Sequence, residues 1–411
     1  MAGKNEMFTA QATQHLPNAP PAGLIERHIL MKQRPKPARR VRKWLLAPAL
    51  LLAVLAMSGC QNLGYYGQAI KGQYQISAHQ QKIDKLVADP QTPAPLKAKL
   101  ELVQELRAFA AKDLKLPVDG HYEKYVDVHR PYVVWNVQAA PEFSLEEKTW
   151  WFPLVGSVEY RGYFSESGAQ DYAAGLRKKS YDVYVDGVEA YSTLGWFKDP
   201  VLNTFVSNTP PDLAETIFHE LGHQRLFVSG DTDFNEAFAT TVGQEGARRW
   251  LRAKGNDGGF EEYQAELRRS EQFARLITAT RAKLEALYGD ERTDAGQLKA
   301  ASKPRAIPPD ELRRQKRQLL DGLRNGYAQL KAQWGGNKDY DSWFAGPLNN
   351  AQLNSVAAYY DLVPCFERLL AQNGGDLEKF YEAVSRLAKE PKDERHRHLQ
   401  VLSATALADA P

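Results

Sequence analysis

Cysteine is scarce in this chain: two residues among 411, Cys60 and Cys365. That number excludes a disulfide framework. Cys365 sits in the apolar run Leu362-Val363-Pro364-Cys365-Phe366, which predicts a buried, inert thiol. Long hydrophobic runs are missing as well. The longest, Trp44 to Met57, falls short of the roughly 20 residues that a transmembrane helix needs. A basic surplus is also absent once the chain is divided. The formal charge is +3, but residues 1–59 hold nine Lys/Arg and two Asp/Glu, so the remainder carries 53 − 9 = 44 basic and 50 − 2 = 48 acidic residues, a net of −4. No concentrated basic face remains, and nucleic acid is not an expected partner. Internal repeats and long low-complexity stretches are lacking too.

What is present fits an ordinary globular chain: 43% hydrophobic and 25% charged residues, with length enough for one large domain or two. Residues 31–59 form a basic stretch, then an apolar stretch, then small residues, the layout of a secretory signal. A complete basic stretch begins at Met31, which makes Met31 a candidate true start. The ending Met57-Ser58-Gly59-Cys60 resembles the lipobox of bacterial lipoproteins, with Met in place of the usual Leu. That resemblance implies cleavage before Cys60 and lipid on its sulfur and new amino group, enough chains for stable anchoring. With Gln61 next, it further implies residence at the outer membrane, facing the periplasm.

Past Cys60, helical periodicity is expected over about 65–87 and 96–112, separated by the Pro-rich segment 89–95. Residues 116–209, rich in Tyr, Val, Trp and Phe with Gly and Pro punctuation, read as strands and loops. There Asp186-Gly187 between 181–185 and 188–193 predicts a type I′ hairpin turn. Two helices follow, about 211–227 and 233–253, the first opening at Pro210-Pro211-Asp212. Residues 260–333 are charge-rich helices broken at 302–309, a surface hairpin with a solvated face. A last helical region spans 348–388, before a charged tail. The expected fold is α+β and predominantly helical, with a small β-sheet and peripheral helices around a central helix pair. Its segments are a leader 1–59, an N-terminal helical segment 60–115, a sheet and metal-binding core 116–255, the charged hairpin 256–335, and a C-terminal region 336–411 that completes the core.

The chemistry concentrates in His219-Glu220-Leu221-Gly222-His223. On a helix, positions i and i+4 share one face, so both imidazoles can reach a single ion. Glu220 then stands beside that ion, placed to take a proton from a water held there. Leu213, Ile217, Phe218 and Leu221 supply the apolar side of the same helix. Glu236, thirteen residues past His223 on the next helix, is the candidate third ligand. Two neutral nitrogens and a carboxylate leave a fourth position open, the pattern of catalytic zinc. Glu245 is a reserve ligand or a partner to the ligands. Metzincins need Gly and His three and six places after the second histidine; Leu226 and Ser229 stand there, which excludes that class.

What remains resembles the gluzincins, thermolysin-like enzymes whose third ligand is a Glu on the following helix. More closely, 219–240 together with Tyr160-Arg-Gly-Tyr-Phe164, Tyr191-Ser-Thr-Leu-Gly-Trp-Phe197 and Leu348-Asn-Asn-Ala351 resembles a bacterial family of predicted aminopeptidase lipoproteins, across essentially all of 60–390. The resemblance implies a zincin-like helix pair, Zn2+, peptide substrates and hydrolysis by metal-activated water, with Glu220 as general base. The Gly-Ala/Met-Glu-Asn segment of gluzincin aminopeptidases does not occur here, which leaves exo- and endopeptidase action open. Tyr359, Tyr360 and Tyr191 are candidates to meet the developing oxyanion. Tyr191 and Thr193, on a strand just before the metal helix, could pair with an extended peptide, and Asn350 is a further candidate for substrate binding. The competing readings are a catalytically silent metal-binding or chaperone-like envelope lipoprotein, and an assembly protein that holds a partner through the charged hairpin. Oligomeric state is not legible.

Overall fold

The computed structural model describes residues 60–408 apart from 153–155, 191–197, 293–297, 302–306 and 361; side chains of 60–63, 292, 357–360 and 403–408 are outside the description. The described elements fall within one compact unit, Cys60–Pro411. In chain order they begin α1 (Cys60–Ala78), β1 (Gln81–Lys82), α2 (Ile83–Ala88), α3 (Ala94–Lys112), β2 (Lys124–Val126), β3 (Val134–Pro141), β4 (Trp150–Phe152), β5 (Gly156–Val158), β6 (Arg161–Tyr163), α4 (Glu166–Arg177), β7 (Tyr181–Val188) and β8 (Val201–Leu202). The helical half follows: α5 (Asn203–Val206), α6 (Pro210–Arg225), α7 (Thr232–Ala253), α8 (Asp257–Tyr288), β9 (Glu291–Arg292), β10 (Leu298–Lys299), α9 (Pro309–Gln333), α10 (Asp341–Phe344), α11 (Asn350–Tyr360), α12 (Val363–Gln372), α13 (Leu377–Leu387) and α14 (Lys392–Ala408). The fold is α+β with helix dominant. No described helix is long and apolar enough to cross a membrane.

Strands pair in small groups around the helices. β3 is central to one sheet, antiparallel to both β6 and β7. β2 runs antiparallel to β1 and parallel to β8. β4 and β5 make a hairpin. The expected turn at Asp186-Gly187 does not form: β7 runs straight through, pairing Asp186 with Asn136 and Gly187 with Trp135. Gly187 serves a different purpose. A Cβ there would stand 2.2 Å from the Tyr132 ring, so the missing side chain admits an aromatic over the strand.

Three more expectations need correction. The single helix over 65–87 is interrupted by β1, because Gln81 and Lys82 pair with Tyr125 and Lys124. Helix α4 arises inside the region read as strand and loop. Ser165 caps it by accepting from the Gly168 N–H, and its buried stripe is small, Ala169, Ala173 and Leu176. The tail beyond 388 is helix α14, held through Arg395 and His396, both buried.

One core joins α3, α6, α7, α12 and α13 through residues such as Leu106, Ile217, Phe238, Phe366 and Phe380; Cys365 is buried in it, as expected. A second lies between α8, α9 and α11, built from Ile277, Leu284, Leu323, Tyr327 and Leu353. The charged hairpin is therefore a packed layer. Lys316 is buried on it and donates to the Glu142 carbonyl and the Asp182 carboxylate at 2.8 and 2.5 Å.

Candidate metal centre

Helix α6 starts where its sequence says it should. Thr209 caps it by accepting from the Asp212 N–H, and Pro210 and Pro211 fill its first turn, where a missing N–H costs nothing. The apolar face, Leu213, Ile217, Phe218 and Leu221, is buried. His219 and His223 recur one turn apart and lie at the interface with α7.

The two helices approach closely because small residues line their contact. A Cβ on Gly222 would stand 3.3 Å from the Ala239 Cα. One on Gly243 would meet the Glu215 carbonyl oxygen at 2.8 Å and the His219 Cβ at 3.1 Å. With the helices this near, Glu236 reaches across to both histidines. His219 Nε2 and His223 Nε2 lie 3.2 Å apart, and Glu236 Oε2 lies 3.4 Å from the first and 3.6 Å from the second. Adjacent donors of a tetrahedral zinc, each at 2.0–2.1 Å, are separated by about 3.3 Å. The triangle has the size of one face of that tetrahedron. Among the described residues these three are the group of His, Cys, Asp and Glu that could hold an ion.

The electrostatics agree with the geometry. Burial alone would raise the Glu236 carboxyl, but His223 and His219 hold it well below the usual carboxylate range. Burial pushes Glu220 up to about 7, with His219 opposing and Glu236 and Asp199 adding to the rise. Among the described residues its Oε2 is buried without a hydrogen-bond partner, and so is His223 Nδ1. A cation in the triangle would draw Glu220 back toward its ionised form. Glu215, one turn before His219, accepts from Tyr263 Oη at 2.5 Å and from Gln244. Burial raises its carboxyl, and the Tyr263 bond and His219 pull the other way. Glu215 thus shares the electrostatic field of the first histidine.

Not every expected residue belongs here. Glu245 is held by Arg249 at 2.8 Å and Arg248 at 3.6 Å, so it is no reserve ligand. Asn350 is fully buried, and its amide is spent internally: Nδ2 donates to the carbonyls of Pro141, Glu142 and Ser144, and Oδ1 accepts from Tyr288. With its amide N–H groups spent on these carbonyls and the side chain buried, Asn350 is built into the fold. Tyr191 and Thr193 lie outside the described residues, as do the side chains of Tyr359, Tyr360 and Cys60.

Spacing alone missed Tyr160. It stands between β5 and β6, and burial followed by Glu236, Glu159 and Glu220 raises its phenol. Gly156, at the start of β5, explains the location: a Cβ there would be 2.9 Å from Ser229 Oγ, so this hairpin lies against the loop between α6 and α7. The only sequence signal was membership of the segment 160–164. Two further acids interact with Glu159. Burial, then Asp233 and Glu159, pushes Glu147 up to about 8, with Arg281 and Lys392 opposing. Burial, then Glu159, pushes Asp233 up to about 6.

A protein with this site can hold one divalent ion through two imidazoles and a carboxylate, with a further carboxylate alongside. The model of one protein family, described as "Putative aminopeptidase", matches residues 64–399, and the chain belongs to that family. The description points to a peptidase. No curated protein matches the chain. No solved structure matches it either.

Proposed function

We propose that the protein is a zinc-dependent aminopeptidase of the bacterial cell envelope, anchored by lipid on Cys60 and facing the periplasm. The observation that carries this reading is the triangle of His219 Nε2, His223 Nε2 and Glu236 Oε2, 3.2–3.6 Å on a side, with Glu220 beside it. We read it as a zincin-like helix pair, in which the three residues would hold the metal. When bound, zinc supplies Lewis-acid chemistry, polarising the scissile carbonyl and acidifying water.

The remaining work falls to the chain. Glu220, poised near neutrality by burial, takes the proton of the attacking water and hands it to the leaving amine. Tyr160, with its phenol protonated, donates a hydrogen bond to the developing oxyanion. Glu215, held by Tyr263, interacts electrostatically with His219. Burial, then repulsion from neighbouring acids, raises Glu147 and Asp233; a substrate presenting a free amino terminus would relieve that repulsion.

The test is hydrolysis of a peptide library, each peptide with its amino terminus free and acetylated, alongside bound-zinc analysis. Glu220→Gln retains zinc and loses about 10²–10⁴-fold in kcat. Tyr160→Phe loses about 10²–10³-fold. Acetylated peptides are spared. Zinc retained with equal turnover in the wild type and Glu220→Gln would end the catalytic reading.

A further inference from the structure

Helix α1 has two dissimilar faces. The inner one is bound tightly to the protein. A Cβ on Gly72 would lie 2.1 Å from the Phe164 ring, and Ile76 is buried. Gln68 accepts from the Phe164 N–H at 2.9 Å, and Tyr65 lies 4.0 Å from the Arg161 guanidinium. The outer face carries Tyr66, Ile70 and Tyr74, 39%, 71% and 70% exposed. Four-residue spacing sets them in one stripe along the helix. They are three of the six large hydrophobic side chains exposed among the described residues, and the other three are scattered in sequence. Residues 60–83 contain no Asp or Glu and two Lys, Lys71 and Lys82.

A stripe of this kind in contact with water is unfavourable, so something covers it. The position of the helix says what. It begins at Cys60, and Tyr66 follows six residues on, roughly 9 Å along the axis. If Cys60 carries lipid, the first turn of α1 starts at the membrane surface. Tyrosine is enriched at the headgroup level of membranes, where its apolar ring and polar tip are both accommodated. A helix lacking acids and carrying lysine meets no repulsion from anionic lipid headgroups.

We infer that α1 lies flat on the bilayer with Tyr66, Ile70 and Tyr74 in the lipid interface, and that this contact orients the domain against the membrane. The inference rests on the lipid-anchor reading above. One helix face fixed to the domain and the other to lipid makes a rigid mount in place of a loose tether.

The experiment uses the protein purified from membranes and reconstituted in phosphatidylethanolamine/phosphatidylglycerol vesicles. With Cys60 spent on lipid and Cys365 buried, a cysteine introduced as Ile70→Cys takes a single fluorophore. Asp321→Cys, at an exposed position on α9, is the control. Brominated lipids should quench the label at 70 at least twofold and leave the label at 321 unchanged, with lipid mass found on Cys60. Lipid on Cys60 without quenching at 70 overturns the inference and leaves the anchor standing. Quenching at 70 without lipid on Cys60 does the reverse. Absence of quenching together with a dimer lost on Ile70→Ser assigns the stripe to a second copy, and also overturns it.

Discussion

Two helix hairpins follow one another in this chain and are built on opposite plans. In α6–α7 the second helix is buried almost all round, fourteen of its 22 residues, and glycine and alanine line the contact. In α8–α9 the second helix buries five of 25 residues as a single stripe and leaves the rest to charged groups. The first plan gives up helix propensity and side-chain volume, and in return the backbones come near enough for Glu236 to meet two histidines. The second is ordinary amphipathic packing through larger apolar groups such as Ile277, Leu284, Leu323 and Tyr327, and among the described residues no metal-binding group forms there. A site therefore needs more than residues of the right kind on two helices. It needs an interface made of residues too small to hold the helices apart.

The largest expected effect lies where the first hairpin is tied to the C-terminal helix. Asp231, in the loop before α7, is fully buried and accepts from Arg395 and His396 at 2.6–3.0 Å. Asp231→Ala removes the buried carboxylate to which Arg395 and His396 bond and should cost about 3–5 kcal/mol in denaturant unfolding. Burial would raise the Asp231 carboxyl, but His396, Lys392 and Arg395 hold it below its ordinary value. A depressed pKa contributes stability above the unfolded value, about 3.9, and that contribution is lost as pH falls through the lower folded value. Amide exchange in 392–408 should accelerate below about pH 4 in the wild type. In Asp231→Ala it should be fast at pH 7 already.

Ile277→Ala, in the core of the second hairpin, should cost about 2–5 kcal/mol and leave zinc per folded molecule unchanged. Zinc lost in proportion would show that the two hairpins are one unit. Gly243→Val attacks the close approach itself, placing a side chain against the Glu215 carbonyl and His219 Cβ. Stability should fall by about 1–3 kcal/mol, and zinc affinity by about 10–100-fold, measured by competition with a chelator. Normal affinity in that variant would refute the role of small residues. The smallest effect runs the other way. Gly322 on α9 has open space where a Cβ would go, so Gly322→Ala should stabilise by about 0.5–1 kcal/mol without altering zinc or turnover.

Where the sequence was informative, a local period or a cap carried the information. Helix α6 was legible from Pro210-Pro211, from the Leu213–Ile217–Leu221 stripe and from His219 and His223 one turn apart. Glu236 was legible as a carboxylate on a helix joined to the first by a short loop. The strand region was less so. Asp186-Gly187 reads as a turn in any local rule, yet glycine sits there to admit the Tyr132 ring from a different segment. Helix α4 escaped because alanine makes a faint apolar stripe amid aromatic neighbours.

Local order and chemistry, then, were written in the chain: which segments coil, which face of each is apolar, and which histidines share a side. Convergence was not. That Glu236 meets the histidines while Glu245 turns to Arg248 and Arg249, that Tyr160 shares their field, and that Asn350 is consumed inside the fold are outcomes of packing between distant segments. The reason is physical: a period along the chain constrains direction about one axis, whereas a distance between two axes depends on every side chain lodged between them.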